Sequence, residues 1–374
     1  MSESGSNNGP GGFEPGDLPP VANPMAAAEL MMAGTEALTD EAEGMSVEPV
    51  TQWDLFSTRL RRHRLAMTAA VYLTFLVLVV VFAPLMQTAG WIDDPTKSLV
   101  DSDGRILRNI EPRGSSDGVF YIEIENLQEV TYEASPTAMT FGTDDLGRSV
   151  FTRVIFGGRA SLIVGVVAGI IVASLGTVVG SLAGFYPGGT DQSLMRFTDL
   201  VLGLPLLPVA IVVGRILPEI EFLPDWLKAG PLGIALLLGF LSWGGLARIV
   251  RAEFLSLREK EFVEAARAAG ASDKRIVFRH ILPNAMSPII VQTTLIVGIA
   301  IIVEAALSFL GFGVRPPTPT WGAMVAQGGR QAVRGYWWEM VFAGFALVST
   351  VLAINFLGDG LRDALDPTQT IERK

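Results

Sequence analysis

The stretch that decides the fold is REKEFVEAARAAGASDKRIVFRHILPN, residues 258–284, a charged segment between two long apolar runs. Its pattern predicts a short helix over Arg258–Ala269, ended by Gly270, because glycine readily adopts the left-handed conformation that closes many helices. Ser272 is placed to cap a second short helix, and Pro283 to stop it. The segment is therefore expected to be a compact helical knob. The residues expected on one face of its first helix are Phe262, Ala266 and Ala269.

Long apolar runs lie on both sides of this segment and repeat along the chain. The first run has 22 residues without a charge, which at about 1.5 Å per helical residue gives about 33 Å. A hydrocarbon core is about 30 Å thick, so such a run can cross a membrane. The third run is the weakest, because Pro205 and Pro208 interrupt it. The six runs cover residues 65–86, 161–186, 200–217, 229–247, a stretch from about 285 to beyond 303 that includes Glu304, and 340–358. They predict an all-α polytopic membrane protein with six transmembrane helices.

Positive charge predicts the orientation of these helices. Arg59, Arg61, Arg62 and Arg64 precede the first run, and the next positive residue after it is Lys97. Because short cytoplasmic loops carry the excess of Lys and Arg, the N-terminus is expected in the cytoplasm. Six crossings then place the loop between the fourth and fifth runs, and the C-terminus, in the cytoplasm. That loop is rich in basic residues, which are Arg248, Arg251, Arg258, Lys260, Arg267, Lys274, Arg275 and Arg279.

The apolar runs and their flanking charges also divide the chain into regions. Within the loop that follows the first apolar run, alternating residues 119–125 predict a small β element outside the membrane. A tail rich in Gly, Pro, Glu and Ala precedes the first helix and is expected to be disordered. The predicted regions are a cytoplasmic tail at 1–54, a first transmembrane helix with its basic flank at 55–87, an external loop at 88–158, a five-helix core at 159–367 that includes a coupling loop at 255–284, and a cytoplasmic tail at 368–374.

Composition narrows the function classes. Apolar residues make up 49% of the chain and charged residues 18%, below the roughly 25% of soluble domains. No cysteine and only two histidines occur, which leaves no disulfide framework and argues against a histidine metal site. A phosphate-binding loop needs Gly-Lys followed by Ser or Thr, and none of the five lysines follows a glycine. The chain is therefore not expected to be an enzyme or to bind ATP itself.

The segment 258–284 also carries a family pattern. Glu264-Ala265-Ala266, three residues, Gly270, nine residues, His280, one residue and Leu282-Pro283 resemble the EAA motif of bacterial ABC-importer permeases. The His-x-Leu-Pro-Asn form resembles the dipeptide, oligopeptide and nickel permease branch, in its C-type permease half. Similar stretches of that branch are FGTDDLGR at 141–148, SFLGFGV at 308–314 and NFLGDGLRD at 355–363. The resemblance covers about residues 55–367; the long tail and a large insert near 100–135 depart from it.

The resemblance implies a role for the knob. In that family the EAA helix is the coupling helix, which docks on a separate ATPase subunit and transmits its movement to the membrane pathway. Carried over, the ATPase-coupling residues are Glu264, Ala265, Ala266, Gly270, His280, Leu282 and Pro283. The implied partners are a second homologous permease, two ATP-binding cassette subunits, an external solute-binding protein and membrane lipid, with no nucleic acid. ATP and Mg²⁺ would be bound by the partner subunits, and no cofactor by this chain.

Two further candidate sites stand apart from the knob. Glu304 lies within an otherwise apolar run, where an ionisable residue marks a candidate pathway or outer gate; the alternative is a helix-end carboxylate bonded to backbone or to Arg315. Asp144, Asp145 and Arg148 are candidate contacts of the solute-binding protein, against the alternative of a capped helix at the membrane surface. No metal site is expected.

The functional prediction is a permease subunit that forms half of the pathway for di- or oligopeptides in a prokaryotic plasma membrane. The same ABC role with nickel or a sugar as substrate stays open. An ion-coupled secondary transporter is the runner-up, although it would predict an inverted repeat and several buried charges. An intramembrane hydrolase is disfavoured because His63 and His280, the candidate bases, both lie outside the apolar runs.

Overall fold

The structure is a computed structural model that describes residues 52–99, 108, 110–112, 120–123, 129–132, 140–228 and 230–365. Most of the predicted tail at 1–54, and all of the tail at 368–374, lie outside these residues. The chain divides into two units, residues 1–55 and 56–374, and the helical bundle belongs to the second.

Helices dominate the described residues, which include one β-hairpin. The helices are α1 (Gln52–Arg62), α2 (Arg64–Thr88), α3 (Val150–Phe185), α4 (Gly189–Leu202), α5 (Leu206–Ile216), α6 (Asp225–Lys228), α7 (Pro231–Leu257), α8 (Glu261–Ala268), α9 (Asp273–Arg275), α10 (Leu282–Asn284), α11 (Met286–Phe309), α12 (Trp321–Ala332) and α13 (Trp338–Leu365). A 3₁₀ turn covers Leu217–Glu219 and a π turn Ile276–Ile281.

The hairpin lies in the region between α2 and α3. Its strands are β1 (Phe120–Glu123) and β2 (Glu129–Tyr132), paired antiparallel with Phe120 opposite Tyr132. The first strand falls within residues 119–125, where the sequence alternates, but residues 119, 124 and 125 lie outside the described part.

Within the described residues, five helices are long and apolar enough to cross a membrane: α2, α3, α7, α11 and α13. The weak third run is a broken helix, since α4 and α5 meet at an angle of 77° across Gly203, Leu204 and Pro205. Pro205 cannot donate a backbone hydrogen bond, which explains why the helix breaks there. The bundle therefore has five continuous spans, or six when the bent pair counts as one.

Helix directions support the count of six. Close approaches of Gly176 to Leu246 and of Gly184 to Phe254 show that α3 and α7 run parallel. Two consecutive parallel spans require the chain to return between them, and α4 with α5 provides that return. Approaches of Gly165 to Ile301 and of Gly169 to Val297 show that α11 is antiparallel to α3.

Small residues allow these close approaches. A Cβ built at Gly180 would lie 2.5 Å from the Ala247 carbonyl oxygen, and one at Gly184 would lie 2.6 Å from the Phe254 Cβ. Glycines at such spacing let helix backbones approach in lipid, where van der Waals packing drives association. The Gly- and Ala-rich run is therefore explained by packing between α3, α7 and α11.

The second transmembrane helix begins earlier than the sequence predicts. The predicted core begins at residue 159, yet α3 begins at Val150, where the Ser149 hydroxyl accepts a hydrogen bond from the Thr152 amide. Its first turns carry Arg153, which is buried and paired. Hydropathy alone places the start of a transmembrane helix after such charges, whereas this helix begins before them.

We call the end of the bundle at which α3, α7 and α13 finish the coupling end, and the other the far end. At the far end, α12 packs against α13, where Gly328 approaches Met340. At the coupling end, Gly360 of α13 packs against Ala66 of α2. Further into the bundle, the Tyr72 hydroxyl is 2.8 Å from that of Ser349.

Candidate functional site

The segment between α7 and α11 is a folded unit at the coupling end. Helix α8 ends at Ala268, and Gly270 has φ +78°, the left-handed value that the sequence predicts for this glycine. Its N–H donates to the Arg267 carbonyl at 3.0 Å, and that of Ala271 to the Ala266 carbonyl at 3.1 Å. The closing turn thus satisfies carbonyls that a helix end leaves open.

The knob is anchored by aliphatic side chains. Val263 of α8 and Ile276 and Ile281 of the π turn are completely buried, in one cluster with Phe254 of α7. Ala266 packs against this cluster, whereas Phe262 is 40% exposed. Of the three residues expected on one face, Ala266 therefore contacts the core while Phe262 and Ala269 are exposed, and the fully buried residue of α8 is Val263.

The predicted coupling residues in α8 and in the turn after it differ in exposure. Glu264, Ala265 and Gly270 are exposed, and Ala266 is half-buried against the core. Within the described part of the chain, the Glu264 side chain makes no hydrogen bond or ion pair. Glu264 and Ala265 therefore form, with exposed Phe262, a surface on a helix whose opposite side is fixed in the core.

The second half of the knob differs from the predicted capped helix. Ser272 has the extended backbone of a capping residue, but its side chain makes no capping hydrogen bond. The chain then continues through α9, the π turn and α10, so Pro283 does not stop the helix. The Leu282 N–H donates to the Val277 carbonyl, five residues back, in the wider π spacing.

His280, Leu282 and Pro283 lie in this junction, directly before α11. Leu282 packs against the buried cluster around Val263, and the Asn284 side chain donates to the His280 carbonyl at 2.6 Å. The π turn and α10 thus connect the knob directly to the start of α11.

At the far end, the candidate binding-protein contacts belong to a buried charge network. Asp144 is 2% exposed, and its carboxylate accepts hydrogen bonds from the Arg148 amide at 2.8 Å and the Arg148 Nε at 2.8 Å. It also accepts one from the Arg153 guanidinium. A direct docking role for Asp144 and Arg148 does not agree with this burial, because a docking side chain must reach the partner.

The network extends to α12 and α13. The Arg153 guanidinium lies 3.6 Å from the Glu339 carboxylate, and both side chains are nearly fully buried. Gln327 of α12 accepts from Arg153 at 3.4 Å and donates to Asp145, which is half-buried. The sequence analysis did not identify Arg153, Gln327 and Glu339. The signal that could have indicated Arg153 and Glu339 is their opposite charge near the starts of two apolar helices, α3 and α13.

Glu304 is also fixed in the interior. It is fully buried, and accepts hydrogen bonds from the Ser161 hydroxyl at 3.0 Å and the Ser308 hydroxyl at 2.6 Å. The Thr320 hydroxyl lies within hydrogen-bonding reach of the same carboxylate. Glu304 therefore joins α3, α11 and the start of α12. Arg315, the partner expected in the alternative reading, is exposed.

These features define a class: a predominantly helical, multi-pass membrane protein with a compact helical knob between α7 and α11. Comparison with known proteins agrees with it. Residues 176–371 match the family described as the binding-protein-dependent transport system inner membrane component, and residues 51–96 match the N-terminal TM domain of oligopeptide transport permease C. The chain belongs to the family of binding-protein-dependent transport system inner membrane components, the permeases of ABC importers.

Several characterised relatives are similar over most of their length. The dipeptide transport system permease protein DppC of Alkalihalophilus pseudofirmus is 34% identical over 85% of this chain and 90% of its own. The glutathione transport system permease protein GsiD of Escherichia coli is 38% identical over 85% of this chain and 91% of its own. Among solved structures, an inward-facing MetNI methionine ABC transporter is 21% identical over 57% of this chain and 96% of that one, with a TM-score of 0.47.

Proposed function

We propose that this chain is one of two permease subunits of an ATP-driven importer and forms half of the pathway for di- or oligopeptides. The observation that carries the proposal is the knob between α7 and α11, a rigid unit whose exposed face ends at the left-handed Gly270. A docking surface of this kind transmits a push because its inner side is packed in the core. The names of the relatives, which include dipeptide and glutathione permeases, support peptides as cargo.

The proposal assigns energy coupling to other chains. Two ATP-binding cassette subunits bind ATP and Mg²⁺, a second homologous permease completes the pathway, and an external solute-binding protein delivers the peptide. This chain then has no catalytic residue and needs no cofactor. The absence of Gly-Lys from the sequence supports this division, since a phosphate-binding loop requires it.

The experiment that tests the proposal is affinity purification of the tagged chain, co-expressed with its neighbouring transport genes, from solubilised membranes. We expect an ATPase and a second permease to co-purify with wild type and with Gly270→Asn, because asparagine tolerates the left-handed conformation. Gly270→Pro should lose the ATPase, since proline fixes φ near −65° while Gly270 needs +78°. A wild-type chain that purifies alone and moves peptide without ATP would establish the secondary transporter instead.

The proposal also places both termini and the knob in the cytoplasm of a prokaryotic cell. Because the sequence has no cysteine, single cysteines report sidedness directly. Lys97→Cys and Ser272→Cys replace exposed residues in the region after α2 and in the knob, respectively. A membrane-impermeant maleimide should label Lys97→Cys in intact spheroplasts, and Ser272→Cys only after permeabilisation. The reverse pattern would overturn the orientation.

A further inference from the structure

A cavity of about 170 Å³ lies among α3, α7 and α11, beside the break between α4 and α5. Its wall includes Ala168 of α3, Ser242 of α7 and Ile296 of α11, each near the middle of its helix. The cavity is smaller than the roughly 300–1,000 Å³ of complete ligand pockets, so it suits part of a ligand.

The lining is apolar apart from two side chains, Ser242 of α7 and Gln292 of α11. Within the described ranges, neither side chain makes a hydrogen bond or an ion pair. A hydroxyl and a primary amide can each donate and accept, and a peptide group offers one donor and one acceptor. The pair therefore matches a peptide group, and the apolar wall matches an aliphatic or aromatic side chain.

Gly245 opens one wall of this cavity. Its neighbours Gly239 and Gly244 are required by packing, because a Cβ there would lie 2.7 Å from Ile171 and 2.9 Å from Leu202, respectively. A Cβ at Gly245 would meet nothing within 4 Å. Since Gly245 lies inside α7, where glycine weakens a helix by about 1 kcal/mol relative to alanine, neither packing nor helix propensity explains it. The missing side chain at Gly245 does leave this part of the cavity wall open to a ligand.

The helix break provides the remaining wall. Leu206 lines the cavity and is the first residue of α5, and the first N–H groups of a helix have no partner within it. Irregular backbone at membrane depth is tolerated where protein buries it or where it lines a cavity. Interrupted helices beside a cavity near mid-height are typical of transporter substrate sites.

From these observations we infer that this cavity binds one apolar side chain of the transported peptide, while Ser242 and Gln292 bind an adjacent peptide group. The inference rests on the proposed function and specifies where this half of the pathway contacts its cargo. Ile299 also lines the cavity and is half-exposed, so the cavity reaches the surface of the chain and the rest of the peptide extends out of it.

The first test fills the cavity. The complex is reconstituted in proteoliposomes with its binding protein, and ATP-driven uptake of radiolabelled alanyl-phenylalanine is measured. We expect Gly245→Trp to lower uptake at least about tenfold (about 1.4 kcal/mol) while subunit assembly and basal ATP hydrolysis persist. Phe240→Trp places the same side chain on an exposed position of the same helix and should keep wild-type uptake. Gln292→Leu should raise the KM for uptake.

The second test uses the absence of native cysteine. N-ethylmaleimide should modify the Gly245→Cys variant in the assembled complex, and saturating alanyl-phenylalanine should slow that modification severalfold. Modification of Phe240→Cys should be unaffected by the peptide. Equal uptake by wild type and Gly245→Trp, or modification that the peptide does not slow, would overturn the inference alone. A wild-type complex without ATP-driven peptide uptake would overturn the proposed function and this inference with it.

Discussion

Ser161 of α3 donates its hydroxyl to the carboxylate of Glu304 in α11 at 3.0 Å, in the fully buried interior of the bundle. Ser308, one turn further along α11, donates to the other carboxylate oxygen at 2.6 Å. The sequence left two roles open for this carboxylate, a gate and a hydrogen-bonded helix-end group, and in the structure it links α3 to α11 through neighbouring hydroxyls.

Substitution of Glu304 is therefore expected to act on stability. Glu304→Ala orphans two buried hydroxyl donors and should cost about 1–3 kcal/mol for each group left unpaired. Ser161→Ala removes a single bond and should cost about 0.6 kcal/mol, the mean for such bonds between membrane helices. Thermal unfolding of the solubilised complex measures both. Glu304→Gln retains an acceptor and should keep peptide uptake. Loss of uptake at unchanged Tm would instead support a role for Glu304 as a gate.

The buried network at the far end gives a second prediction. Arg153→Ala leaves the Asp144 and Glu339 carboxylates buried without this counter-charge, and loss of one partner of a buried pair costs about 3–5 kcal/mol. The matched control is Glu259→Gln, which breaks the Arg258–Glu259 pair, whose carboxylate is 66% exposed; such pairs contribute about 0–1 kcal/mol. The unfolding midpoint should fall much further for Arg153→Ala than for Glu259→Gln. Equal shifts would contradict a structural role for the network.

Much of the bundle could be predicted because its signal is local. Each continuous span is an apolar run long enough to cross a membrane, and Gly270 has the positive φ that its position after an alanine-rich helix predicts. Pro205 likewise interrupts the run whose helix is broken. These features depend on neighbouring residues, which a sequence displays directly.

The remaining features depend on partners that are distant in sequence. Arg153 and Glu339 are hidden among apolar runs, and nothing local indicates that they meet. Val263 is buried in a cluster with Phe254 and Ile276, which lie in other segments, so its inward position depends on tertiary packing. The π turn before Pro283 is set by packing of Ile276 and Ile281, so local rules predicted a helix stop.

Adjacent residues of α8 should separate stability from coupling. Val263 is fully buried in the cluster that holds the knob, so Val263→Ala should destabilise the complex by about 1–3 kcal/mol through lost burial and a cavity. Glu264 is exposed, so Glu264→Arg should leave the unfolding midpoint unchanged. Under the proposed docking it should weaken recovery of the ATPase and uncouple ATP hydrolysis from uptake. An unchanged uptake rate for Glu264→Arg would remove this side chain from the contact.

The last prediction compares the same substitution at two glycines, where we expect opposite effects. Gly180 lies at the contact of α3 with α7, and Gly344 lies in α13. At Gly180 an added Cβ would lie 2.5 Å from the Ala247 carbonyl oxygen and 2.7 Å from the Val250 Cβ, so the helices must separate. Gly180→Ala should therefore cost about 1–3 kcal/mol, as overpacking does.

At Gly344 of α13 the nearest atom to an added Cβ is a Val325 methyl at 3.8 Å, an ordinary contact. Gly344→Ala should thus be neutral or stabilise the helix by up to about 1 kcal/mol, because alanine restricts the unfolded chain and favours the helix. Unfolding midpoints of both variants in one detergent give the comparison. If Gly180→Ala were as stable as Gly344→Ala, the α3–α7 contact would be looser than the close approach at Gly180 requires.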